Sequence, residues 1–531
     1  VGEVTTLMAL WWARGASGRV SADKSVVYGP ALRSRIVTPA RYLFIQAADE
    51  DGVNFTSSAG AGAFRVQVHI LVGGKKKQLK TEVQDRGDGS YQAVFWYGIQ
   101  PEALIISVTT KEGKYVRKEG EESARSGPIT LKKVEVEQCY CPDPDPERWA
   151  KSYQCREEEP QISRDFQQFE GISNAGLEDM KQILRRNDSN CFVHYVVRNN
   201  ELYGKAYGKY QGFKKYTDDM LLSLMRRVVV PDVEFLWNVG DWPLTNKSSP
   251  PFPVLSFCGS ASSYDVIVPT YKLFLSTVFG KDLENVNDVD GKCYTAGGGW
   301  ERKIGKLFWR GRDSNPQRVK FVEGIASEHR DLIDANISKN HMNYYPSEEE
   351  RMRDKLLQAG KKVERVNFLS FWRYKYLLSL DGTVAAYRMP ALLAGDSVVV
   401  KQSSEWYEHF YSELLPFTHY IPVKEDLSDL LLQLHWARSH EEEVQRIAAQ
   451  GRRFVRERLS SQQVYCYYFL VLSSYNRSML YPVVVPPELP RVEQPRPQTS
   501  CRCRKRRKKE KRNAGEQDRW KGGMQQGKRE L

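Results

Sequence analysis

Between residues 23 and 136 apolar and polar positions alternate over short runs. In FRVQVHILV, Phe64, Val66, Val68 and Ile70 fall at every second residue, so their side chains share one face of a strand. The runs ARYLFIQAADEDG, LKTEVQDRGDGSYQAVFWYG and ALIISVTTKEGKYV are broken by Gly and Asp at short intervals, the spacing of an antiparallel immunoglobulin-like β-sandwich. Within DRGDGSY, Gly87 and Gly89 supply positive φ for a tight turn, and Tyr91 opens the next strand. From Cys139 the period changes. After the Pro-rich link CYCPDPDPERWAKSYQC, GLEDMKQILRR has helical spacing. YTDDMLLSLMRRVVVPDVEFLWNVGDWPL predicts a helix, a break at Pro231 and a buried strand, and residues 426–459 predict two amphipathic helices with Asp426 as N-cap. VYCYYFLVL, residues 464–472, predicts a buried helix. Alternating helices and strands predict a doubly wound, parallel α/β architecture. The expected organisation is a leader or signal remnant over 1–22, the sandwich over 23–136, the α/β domain over 137–480, and a Pro-rich, basic, disordered tail over 481–531 that ends in KREL.

At 531 residues the chain exceeds one hydrophobic core, in keeping with several domains. The net charge of +13 is a tail property: residues 501–531 hold 13 Lys/Arg against 4 Asp/Glu, so the preceding 500 residues carry only +4. That balance disfavours a nucleic-acid-binding body, and the dense basic run reads as a solvated spacer. KREL is a variant of the retrieval signal of the endoplasmic reticulum, which implies a lumenal protein and a retrieval receptor as partner. Five Asn-x-Ser/Thr sequons, at Asn54, Asn187, Asn246, Asn336 and Asn476, are compatible with glycosylation there. Nine cysteines suit disulfides in an oxidising lumen, and the odd count leaves one thiol over, for which Cys293 is the candidate. No stretch is long and apolar enough to span a bilayer.

Three clusters in the α/β region can carry chemistry. Asp241 closes the buried run VEFLWNVGD, and ligands of open α/β sheets bind beyond the carboxyl ends of strands. In LFWRGRDSN, Arg310 and Arg312 stand between a strand and a helix start. In the 379–423 segment a small-residue loop, Gly382 to Ala386, is followed by Arg388 and the strand SVVVK. An arginine beside a helix start suits a diphosphate, whose oxygens accept its paired N–H groups. A carboxylate suits a base. Asp241 as a turn cap and Arg312 as half of an ion pair remain open alternatives. Asp288-Val-Asp290 lies in a polar loop, AGGGW is no dinucleotide fingerprint, and His435 and His440 fall on different helix faces. No nucleophile elbow and no Walker sequence is present.

The motifs VVYGPAL, VQDRGDGSYQAVF and SGPI resemble a filamin-type repeat. NVGDWPL, WRGRDS, DGTVAAYRMPALLAGDSVVVKQ, EHFY, HYIPVKEDLSDLL and CYYF together resemble the protein O-glucosyltransferases with a capsule-type family 90 domain. The resemblance implies a glycosyltransferase-B-like fold of two Rossmann-like lobes and inverting transfer of glucose from UDP-glucose to serine. The acceptors it implies are epidermal-growth-factor-like repeats of the Notch and fibrillin type. It implies no cofactor and no metal. It places the base on Asp241 and UDP-sugar contacts on Arg312, Thr383, Val384, Ala385, Ala386, Tyr387 and Arg388. It also implies the disulfides Cys139–Cys155, Cys141–Cys466 and Cys191–Cys258. UDP-xylose as donor, or a non-catalytic lumenal binding protein, are the competing readings.

Overall fold

A computed structural model describes residues 18–32, 41–55, 57–85, 87, 89–95, 97, 101–132, 134, 140–248, 250–278, 300–339 and 368–495. Asp288, Asp290, Cys139, Cys293 and the basic tail with KREL lie outside the described residues.

The first domain is a sandwich of two sheets. Its strands are β1 (Val26–Tyr28), β2 (Arg41–Gln46), β3 (Phe64–Val72), β4 (Lys75–Leu79), β5 (Thr81–Asp85), β6 (Ser90–Phe95), β7 (Ala103–Thr110), β8 (Arg117–Lys118) and β9 (Ile129–Lys132). They are ordered β5-β6-β2-β1-β8 and β4-β3-β7-β9. In β3 the alternation has its predicted result: Phe64, Val66, Val68 and Ile70 are buried in the sandwich core. Gly87 and Gly89 have φ of 77° and 83°. A Cβ on Gly89 would stand 2.1 Å from the Phe55 carbonyl oxygen, so only glycine fits. Tyr91 follows, and its hydroxyl donates to Gly60 O and accepts from Ala59 N.

The α/β domain has two lobes. The first is built on β10 (Phe192–Arg198), β11 (Glu201–Tyr207), β12 (Val233–Asn238), β13 (Val254–Ser256), β14 (Val266–Ile267) and β20 (Arg491–Val492), in the order β14-β13-β12-β10-β11-β20. The second is built on β15 (Ile304–Arg312), β16 (Ile333–Lys339), β17 (Tyr374–Ser379), β18 (Val398–Gln402) and β19 (Ile421–Val423), in the order β16-β15-β17-β18-β19. Every residue of β12 is buried, as expected of a central strand covered on both faces. Helix Ser461–Ser478 crosses back against the first lobe, with Ser460 capping it through Gln463 N. Ten of its side chains are buried, which accounts for the apolar run 464–472.

Four expectations need correction. The second lobe is wholly parallel, but the first is mixed: β10 runs antiparallel to both β11 and β12. The cause is a two-residue hairpin at Asn199 and Asn200, with φ of 52° and 58°, the left-handed pair that asparagine tolerates and that matches strand twist. Second, residues 481–495 are not a free linker: Arg491 and Val492 pair with β11, and Val483 and Leu489 are buried beside Val196. Third, Asp426 accepts from Ser428 N in a local turn, while Asp429 stands at the start of helix Leu430–Ser439.

The fourth correction concerns the disulfides. Cys155 bonds Cys466, with Cα atoms 5.3 Å apart, so neither Cys139–Cys155 nor Cys141–Cys466 forms. Helix Pro146–Tyr153 packs directly on Ser461–Ser478, with the Trp149 and Phe469 rings 5.2 Å apart, and this brings the two sulfurs together. Cys141 is disulfide-bonded to a partner outside the described residues. Cys191 and Cys258 are both free and buried. Cys191 leads into β10 and Cys258 follows β13, with β12 between them. Two strand spacings, about 10 Å, exceed the roughly 7 Å a disulfide can bridge.

Candidate active site

The turn after β12 is fixed by its own strand. Asn238, fully buried, donates through its amide to Trp242 O at 2.6 Å and to Ser256 Oγ at 3.0 Å, and its Oδ1 accepts from Gly240 N at 2.8 Å. Asp265, also buried, holds the next residues by accepting from Leu244 N, Thr245 N and the hydroxyls of Thr245 and Ser256. Between these anchors Asp241 projects as an exposed residue. Protein nevertheless crowds its carboxyl, and that loss of solvation raises its pKa, against the opposing charge of Lys272. Reachable by water yet poorly solvated is the condition of a group on a cleft wall.

On the second lobe, β15 ends in a bulge at Gly311 and Arg312. Arg310 is not available for a ligand: its guanidinium pairs with Asp334 at 2.6 Å and donates to Trp309 O and Asp334 O. Arg312 is exposed and has no ion pair among the described residues. Asn315 caps helix Pro316–Glu323, with Pro316 in the first turn, and its amide reaches Gly382 O at 3.1 Å.

The loop after β17 carries the small residues. Val384, Ala385 and Ala386 are buried, and Asp381 Oδ1 closes the loop by accepting from Ala386 N at 3.2 Å. A Cβ on Gly382 would stand 3.0 Å from Ser314 Oγ and 3.1 Å from Arg318 Nη2, so the two loops meet closely at this glycine. Arg388 donates to Arg310 O at 2.6 Å, and desolvation lowers its pKa to about 10. Thr383 is half-buried.

The two lobes meet here. Cys258, just past β13, packs with Val384 and Ala385, and Tyr387 and Trp406 flank them. Burial pushes the Cys258 thiol up, so it stays protonated filler. The Tyr387 hydroxyl has no hydrogen-bond partner among the described residues, and the charges of Asp241 and Glu408 both act on it. Trp242, next to Asp241, meets Trp406 with ring centroids 5.2 Å apart, and Trp406 packs on the cluster of Val384 and Ala385, so the turn that carries Asp241 adjoins the 381–388 loop.

Sequence reading overlooked several participants. Arg318, 4% exposed, donates to Asp381 O, Leu380 O, Arg312 O and Ser314 Oγ, stitching the loops after β15 and β17 together. Its signal was an arginine in the first turn of an Asn-Pro helix start. Glu408 is fully buried and Asp381 and Lys401 are half-buried, and their charges act on one another: burial raises Asp381, lowers Lys401 and pushes Glu408 up to about 8. Among the described residues, no group of three or more His, Cys, Asp or Glu is placed to hold a metal ion, and no helix is long and apolar enough to cross a membrane. Of the sequon asparagines, Asn54, Asn187 and Asn246 are exposed on loops, Asn336 is half-buried in β16, and the Asn476 amide donates to Asp232 O from within a helix.

Comparison with known proteins sets these features in context. The Filamin/ABP280 repeat matches residues 19–118, and glycosyl transferase family 90 matches residues 150–519. The chain is similar to protein O-glucosyltransferase 2 of Danio rerio, 38% identical over 482 residues that cover 90% of this chain and 91% of the relative. It is equally similar to protein O-glucosyltransferase 3 of Homo sapiens, 38% identical over 483 residues, 88% of this chain and 90% of the relative. Protein O-glucosyltransferase 1 of Homo sapiens is 28% identical over 333 residues, 61% of this chain and 80% of the relative.

Proposed function

The chain belongs to glycosyl transferase family 90, and we propose that it moves glucose from UDP-glucose to a serine hydroxyl of epidermal-growth-factor-like repeats, with inversion, without a metal ion, in the endoplasmic reticulum lumen. The enzyme class, a glycosyltransferase of the protein O-glucosylating kind, follows from the family and its named relatives. One observation supports the finer reading above the others: an accessible carboxylate with raised pKa, Asp241, stands on a turn that adjoins the small-residue loop, where the Tyr387 hydroxyl has no hydrogen-bond partner among the described residues.

In this reading UDP-glucose lies against the 381–388 loop, where small side chains admit a close approach of backbone to ligand. The serine oxygen attacks the anomeric carbon in line, the bond from that carbon to the diphosphate oxygen breaks, and UDP leaves with the electron pair. Asp241 takes the serine proton. Arg388 and Arg312 offset the charge that builds on the diphosphate, a task that two guanidiniums can perform without a metal. The raised pKa makes Asp241 a better proton acceptor than an ordinary aspartate. The Cys155–Cys466 disulfide supports an oxidising compartment.

The test is transfer from UDP-glucose, with UDP-xylose in parallel, to a folded epidermal-growth-factor-like repeat in the presence of EDTA. Asp241→Asn is expected to bind UDP normally and to lose about 10²–10⁴ in kcat. In the wild type, kcat/KM is expected to fall on acidification through a pKa above that of an ordinary aspartate. Full activity in Asp241→Asn removes the base assignment, and preference for UDP-xylose removes the donor.

A further inference from the structure

The loop that follows β18 places three consecutive residues on three different parts of the site. Trp406 meets Trp242 edge to face, with ring centroids 5.2 Å apart and planes at 82°. Trp242 directly follows Asp241 and is 51% exposed. Tyr407 pairs with Gly259 through two reciprocal backbone hydrogen bonds of 3.0 Å, and its hydroxyl donates to Ser260 O at 3.4 Å. A side chain at Gly259 would collide with this contact, its Cβ standing 3.0 Å from Tyr407 Cζ and 2.6 Å from Ile267 Cδ1. Glu408 is fully buried, and the charges of Asp381 of the donor-side loop, Lys401 and Lys272 act on it.

The far end of the same loop is tied down as well. Glu413 pairs with Arg156 at 3.1 Å and Arg458 at 2.8 Å, and both arginines also pair with the buried Glu159, at 3.1 and 3.0 Å. Arg156 adjoins the Cys155–Cys466 disulfide. The strap is therefore anchored behind the site and touches the base-bearing turn, the end of β13 and the donor-side loop in succession. A large, half-exposed tryptophan beside the base has one aromatic contact among the described residues, and that contact comes from the strap.

We propose that Trp406–Glu408 is a positioning strap that sets the base-bearing turn against the donor-side loop, with Trp406 acting on Asp241 through Trp242. This rests on the reading of Asp241 as the base. Trp406 is a positioning residue, since it has no part in bond making, and its loss should change the rate of transfer far more than the hold on nucleotide. A misplacement of about 1 Å at a reacting group costs up to about 10²-fold in rate.

The test uses the full chain with Trp406→Ala, Trp406→Phe, Trp242→Ala and the Trp242/Trp406 double alanine variant. Trp406→Ala is expected to lower kcat about 10- to 100-fold, with UDP affinity by calorimetry within about twofold of wild type. Trp406→Phe should recover most of the rate. The double variant should be no slower than the slower single one, because both changes break one contact. An unchanged kcat in Trp406→Ala, or losses that multiply in the double variant, overturns the strap. If Trp406→Ala does not fold, Trp242→Ala at its exposed site carries the same kcat and affinity test. Hydrogen exchange at the amides of Gly240, Asp241, Trp242 and Leu244 separates this proposal from the base assignment. Faster exchange in Trp406→Ala supports the strap even where the wild type transfers no glucose. Unchanged exchange rejects it even where Asp241 is the base.

Discussion

The two lobes of the α/β domain contribute opposite kinds of chemistry. The first offers open groups: Asp241 and Trp242 are both exposed, on a turn held from beneath by the buried side chains of Asn238 and Asp265. The second offers closed ones: Asp381, Lys401, Glu408 and Arg388 are crowded by protein, and burial shifts all four towards their neutral forms. The difference fits the two substrates proposed. A protein acceptor must reach its base from outside, whereas a nucleotide sugar is held best by dipoles and charges organised before it arrives. Support differs in the same way, since the open turn is braced by one asparagine and one aspartate while the closed loops are stitched by Arg318 through four donated bonds.

That contrast can be broken in order of effect. Asp241→Asn acts on the open side, and its loss of about 10²–10⁴ in kcat should leave UDP affinity untouched. Arg318→Met acts on the closed side and should do the reverse. It leaves the carbonyls of Leu380 and Asp381 without their donor, so a stability loss of about 2–4 kcal/mol in chemical denaturation should accompany weaker UDP binding. Undiminished UDP affinity in that variant would show that the loops keep their shape without the stitch. Arg388→Ala should weaken UDP by about 1.5–3 kcal/mol in calorimetry, the contribution of a charge-assisted pair, with a smaller change in stability. Glu408→Gln should have the smallest effect on transfer and UDP binding, and it acts on stability through pH. Burial raises Glu408 from 4.5 to about 8, so the folded state holds a proton that the unfolded state releases. Its contribution to stability is full below about 4.5 and is lost as pH rises through about 8. Denaturation at pH 5.5 and 8.5 should therefore show the glutamine variant gaining on wild type at the higher pH, and equal slopes with pH would contradict the assignment.

Much of this architecture is legible in the sequence where one strong pattern acts alone. The alternation in β3, the glycines of DRGDGSY and the buried run ending at Asp241 each report a local cause. The small residues 383–386 likewise mark the loop where the lobes meet. Arg310 misled because an arginine's partner is set by the neighbouring strand: Asp334 lies beside it only once β15 and β16 pair. Arg318 was missed for the converse reason, since its four acceptors are mostly backbone carbonyls that no residue type announces. The cysteine pairing was unreadable in the same sense, because it depends on which helix packs on Pro146–Tyr153. The antiparallel hairpin of β10 and β11 was legible and overlooked: consecutive asparagines between two apolar runs carry its turn signal.

The Cys155–Cys466 bond joins residues 311 positions apart. It makes nearly the whole α/β domain a covalent ring. A protease that cuts any surface loop between these residues, including those around the cleft, leaves the two pieces attached. During synthesis the same bond waits for its second cysteine until almost all of that domain has been made. Both lobes must therefore be present before the ring can close.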